Sequence, residues 1–71
     1  TIINYRLSNS GFVSLKVFDI LGNEVKTLVN EKLNAGKYSA EFNGADLPSG
    51  VYFYRLSSGD FNEVKMMSLL K

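Results

Sequence analysis

The chain has 71 residues, 45% of them hydrophobic, and eight Lys and Arg against seven Asp and Glu give a net charge of +1. So short a domain buries only about 60% of the surface its unfolded chain exposes, which leaves little room for both a stable core and a deep catalytic cleft. The near-neutral balance excludes the clustered basic surface that nucleic acid requires and the acidic composition of a solvating tail, and the lack of His and Cys removes the commonest general base, the usual zinc ligands, thiol nucleophiles and disulfides.

Thr1 is not a natural start, and no signal peptide precedes the strand-like run Thr1-Ile2-Ile3. The chain therefore reads as a fragment of a longer protein, residues 1–71 forming one domain, with any export signal at that protein's own N-terminus. In the first segment Ile3, Tyr5 and Leu7 share one face, opposite Asn4 and Arg6. Ser8-Asn9-Ser10-Gly11 is a turn by composition. The second segment sets Val13, Leu15 and Val17 on one face and Ser14 and Lys16 on the other, flanked by Phe12 and Phe18. Residues 19–23 read as a tight hairpin loop. Asp19 can accept hydrogen bonds from backbone N–H groups two or three residues on, and Gly22 can take a positive φ.

Residues 24–33 are ambiguous between strand and helix, because Val25, Leu28, Val29 and Leu33 fit helical spacing as well as strand spacing. The β-branched Val25, Thr27 and Val29 and the short length favour a strand, and a β-bulge near Thr27 and Leu28 would reconcile the shifted phase. After the turn Asn34-Ala35-Gly36, Tyr38, Ala40 and Phe42 alternate with Lys37, Ser39 and Glu41. Asn43-Gly44 and Leu47-Pro48-Ser49-Gly50 are successive breaks, Gly50 relieving the backbone before the next strand. Residues 51–56 form the most hydrophobic segment, with Tyr52, Tyr54 and Leu56 on one face and Val51, Phe53 and Arg55 on the other. Ser57-Ser58-Gly59-Asp60 closes a hairpin. The last segment runs from about Phe61 to Leu70; Met66-Met67 and Leu69-Leu70 put apolar residues on both faces and leave its phase open. The pattern predicts an all-β fold, a small antiparallel sandwich of six to seven strands. No run approaches the roughly 20 apolar residues that span a bilayer.

Chemistry is hard to place on this chain. Without His, the serines have no ordinary activating base, and they lie in turns or on polar strand faces. The carboxylates are scattered over loops and solvent faces rather than paired for hydrolysis. Asp19, Asn23 and Glu24 cluster in one loop and Asp60, Asn62 and Glu63 in another, but neither has the alternating oxygen spacing of a calcium loop, and turn formation explains both. Phe12, Phe18 and Phe53 could form a sugar platform. A contact surface for a neighbouring domain, or a second layer of core, accounts for them better. The expectation is a non-catalytic module with no cofactor and no metal.

The run Val13-Ser14-Leu15-Lys16-Val17-Phe18-Asp19-Ile20-Leu21-Gly22-Asn23-Glu24-Val25 resembles the V-x-L-x-[VI]-[YF]-D-x-x-G-x-x-V core of type IX secretion system C-terminal sorting domains of type A. Leu47-Pro48-Ser49-Gly50-Val51-Tyr52 resembles that family's L-x-S-G-[VI]-Y turn and strand, and Lys65-Met66-Met67-Ser68-Leu69-Leu70-Lys71 is similar to its lysine-bearing terminal strand. The Asn-Pro element that usually precedes the first strand is absent. The family shades into the immunoglobulin-like domain that resembles part of the flagellar hook-capping protein.

The resemblance implies an immunoglobulin-like β-sandwich at the C-terminus of a large exported bacterial protein. The cargo would cross the inner membrane by the general export route. Its C-terminal domain would then be recognised by the secretion machinery at the outer membrane, where a sortase-like enzyme commonly removes it and can attach the cargo to surface lipopolysaccharide. The resulting location is secreted or cell surface. Carried over by position, the sorting signal is Lys65, Met66, Met67, Leu69, Leu70 and Lys71, while Asp19, Gly22 and Gly50 are structural turn residues. Recognition through strand addition to the terminal strand is the mechanism expected. The alternative is an immunoglobulin-like spacer or a carbohydrate-binding module of a secreted hydrolase.

Overall fold

The computed structural model describes residues 2–59 and 61–70. The alternating segments become six strands: β1 (Ile2–Leu7), β2 (Gly11–Phe18), β3 (Glu24–Leu33), β4 (Gly36–Glu41), β5 (Gly50–Ser58) and β6 (Phe61–Leu69). All pairings are antiparallel. One sheet holds β1 and β4; the other runs β3-β2-β5-β6. The two form a small immunoglobulin-like sandwich in which β1 pairs with β4 and β2 with β5 across long stretches of chain.

The core follows from the alternation. Val13, Leu15 and Val17 point inward from β2, which has a neighbour on each side, and all three are fully buried. Ile3 and Leu7 cover them from β1, and Tyr52 and Leu56 complete the layer from β5. Phe42 lies just beyond β4 and is 1% exposed, its ring tilted against Tyr52 at 6.3 Å. The Tyr52 hydroxyl donates to the Pro48 carbonyl at 2.7 Å, so a buried ring keeps its polar end satisfied. On the two-stranded sheet Tyr5 and Tyr38 stand opposite each other with rings stacked at 5.6 Å.

The segment at 24–33 is a strand, and its apparent helical spacing has a cause. Leu15 faces Val29 but Lys16 faces Thr27, which leaves Leu28 as an extra residue; Val17 faces Lys26 and Phe18 faces Glu24, which leaves Val25 extra. Each bulge advances the phase by one position, so apolar residues recur at mixed spacing along a strand. Residues 42–49 form an irregular loop with turns and bends and contribute no seventh strand among the described residues. A second core layer built on Phe12, Phe18 and Phe53 is not formed. These rings lie on the outer face of the four-stranded sheet, Phe12 being 58% exposed, because the two-stranded sheet covers the opposite face.

Candidate functional site

Of the sorting-signal candidates, Lys65, Met66, Met67 and Leu69 sit on β6, whose placement is set by β5. The two strands pair without a shift from Gly50–Leu69 to Ser58–Phe61, a ladder begun at the turn after Ser58. β6 is one edge of the four-stranded sheet and β3 is the other. The bulges interrupt β3, whereas β6 stays regular along its length. A regular free edge presents N–H and C=O groups ready to pair with another strand.

The register also resolves the open phase of the last segment. Met67, Lys65 and Glu63 lie opposite the inward Tyr52, Tyr54 and Leu56. Met67 and Leu69 accordingly pack against the core. Met66 and Val64 lie opposite Phe53 and Arg55, and they face outward, 68% and 60% exposed. Leu70, just past the strand, is 87% exposed. The outer face of the strand thus carries Val64 and Met66 beside Asn62 and Ser68, while Glu63 and Lys65 share the inner side with Met67 and Leu69 but keep side chains 41% and 59% exposed. Lys65 Nζ lies 3.0 Å from Glu63 Oε1. The hydrogen bond and charge of Glu63, with Tyr54 adding to them, raise the Lys65 ammonium above its ordinary pKa. Charged side chains, lysine above all, guard edge strands against unselective pairing. Lys71 lies outside the described residues.

Two residues of this surface, Val64 and Arg55, have no counterpart among the sequence-based candidates. Val64 stands beside Met66 on the outer face of β6, and Phe18, Phe53 and Met66 lie opposite one another in a row across β2, β5 and β6. The Arg55 guanidinium lies over the Phe18 ring at 5.2 Å. The open phase of the last segment hid Val64, and the row needs the β2–β5 register, which no local signal fixes.

Asp19 and Gly22 shape the β2–β3 hairpin at one end of this row. Asp19 Oδ1 accepts from the Leu21 and Asn23 N–H groups at 2.9 Å each, two and four residues on. Gly22 has φ +88°, and its N–H donates to the Asp19 carbonyl at 3.0 Å. Hydrogen bonding from the Asn23 backbone, above all, holds the Asp19 carboxyl below its ordinary pKa, with the Asn23 side chain and the Leu21 and Gly22 amides acting in the same direction. That carboxylate is committed to the turn. Gly50, with φ +155°, begins β5 and faces Leu69. Asp60, from the second acidic loop, lies outside the described residues.

The profile of the secretion system C-terminal sorting domain family matches residues 1–69. The chain belongs to this family. No curated protein and no solved structure matches it. The sorting domain is a type IX secretion signal, which implies a cargo chain, the secretion machinery as partner, and export across the outer membrane to the cell surface or the medium. The family is one of signals rather than enzymes. No described helix of the sorting domain is long and apolar enough to cross a membrane.

Proposed function

We propose that the type IX machinery reads this domain through β6, by adding a strand of its own to the free edge and seating the outward side chains of Val64, Met66 and Leu70. The observation that carries this reading is a regular edge strand whose outer face leaves apolar side chains in solvent, 60% exposed at Val64 and 68% at Met66. Strand addition draws affinity from backbone hydrogen bonds and specificity from pockets for alternate side chains, and β6 offers both. In this reading Met66 and Leu70 make contact, while Met67 and Leu69 hold the strand to the core. Lys65 and Glu63 make uninvited pairing costly. The sortase-like partner rests on the family resemblance alone.

The test is export of the cargo-bearing chain. Met66→Asp and Val64→Asp place charge on exposed positions, where stability moves by no more than about 0.5 kcal/mol. Both variants are expected to stay folded and to accumulate inside the outer membrane. Secretion at the parental level from the doubly substituted chain would overturn the reading.

A further inference from the structure

Gly44 is buried, in a turn closed by a 3.0 Å hydrogen bond from the Leu47 N–H to the Gly44 carbonyl. Its backbone does not require glycine: Gly22, Gly36, Gly50 and Gly59 have positive φ, and Gly44 is not among them. What requires glycine is space. A Cβ at position 44 would stand 2.5 Å from Leu69 Cδ2, 2.8 Å from Cδ1 and 3.2 Å from Cγ. Carbon atoms in good contact are about 3.5–4.0 Å apart, so a Cβ at 44 would force the Leu69 side chain to turn out of this volume. The other glycines of the described chain have open space or, at Gly36, an ordinary contact of 3.9 Å.

Leu69 is the last residue of β6 and faces Gly50, which offers no side chain across the ladder. Nothing on β5 at that position can grip it. We infer that Gly44 is the positioning residue of the sorting strand: its bare backbone forms a seat into which Leu69 drops, and the seat pins the far end of β6 in the phase that turns Met66 and Leu70 outward. A strand that slips by one residue sends its whole outward set to the other face, and unanchored strand ends fray. The seat suppresses both at the end where Leu70 emerges. The inference rests on the reading of β6 as the recognised strand.

The test places Gly44→Ala, Leu69→Ala and the pair together in the cargo-bearing chain. It reads the secreted fraction and amide hydrogen exchange in residues 66–69 and 13–17. Each single variant is expected to lower secretion and to speed exchange in 66–69 while 13–17 stay protected. The pair is expected to be no worse than either single, since one contact is lost in all three. If Gly44→Ala does not fold, Leu69→Ala, which only empties the seat, carries the same test. Parental secretion from Leu69→Ala, losses that add in the pair, or exchange that rises equally in 13–17 would overturn the seat. Met66→Asp with Val64→Asp separates the two claims. If that chain is retained while the seat variants are secreted, only the seat falls; if it is secreted, the reading of β6 falls.

Discussion

Leu15 lies inward on the central strand, between Val29 of β3 and Leu56 of β5, and is fully buried. Leu15→Ala removes its side chain from the middle of a thin core and is expected to cost about 2–5 kcal/mol, measured by chemical denaturation. Tyr52→Phe deletes only the bond to the Pro48 carbonyl and should cost about 0.5–1.5 kcal/mol. Asp19 supplies a pH dependence. Its carboxyl titrates lower in the folded chain than the ordinary 3.8, so its contribution is complete above that pH and is lost as pH falls through the folded value. Wild type should therefore be more stable than Asp19→Ala near neutrality, and acid titration of the two should converge below the folded value. At this scale the sequence was legible wherever only one face was apolar, as with Val13, Leu15 and Val17. It was illegible at Met66, Met67, Leu69 and Leu70, where both faces are apolar and only pairing with β5 tells inside from outside.

Among the elements, β3 and β6 show what pattern can and cannot reveal. The bulges at Val25 and Leu28 break the period that identifies a strand, so β-branched composition had to decide between strand and helix. The hairpins β2–β3 and β5–β6 were legible because their turns carry the local signals of Asp19, Gly22 and Gly59. For β6 the two faces make a sharp prediction. Met66→Ala should leave the denaturation midpoint nearly unchanged, whereas Met67→Ala, which trims a side chain packed on the core, should lower stability by about 1 kcal/mol. Equal effects would mean that the register of β6 is misplaced.

For the whole molecule, alternation identified the buried residues and therefore the sandwich, but not the division of strands between sheets. β1 with β4 and β2 with β5 are joined across distant parts of the chain, and no short motif encodes such a partner. The same distant pairings set the folding rate, because the loops they close must lose entropy before any contact rewards them. Refolding measured by stopped flow is expected in the millisecond-to-second range typical of non-local β folds, rather than in microseconds.

The contrast between a bulged β3 and a regular β6 also bears on what crowded copies can do. To propagate, a ribbon must be receptive on both borders, so that each added unit offers a fresh one. The four-stranded sheet is receptive on one border only, and even there a lysine and a glutamate must be accommodated. One incoming strand closes that border, so the four-stranded sheet does not hand a fresh β6-type border to the next copy.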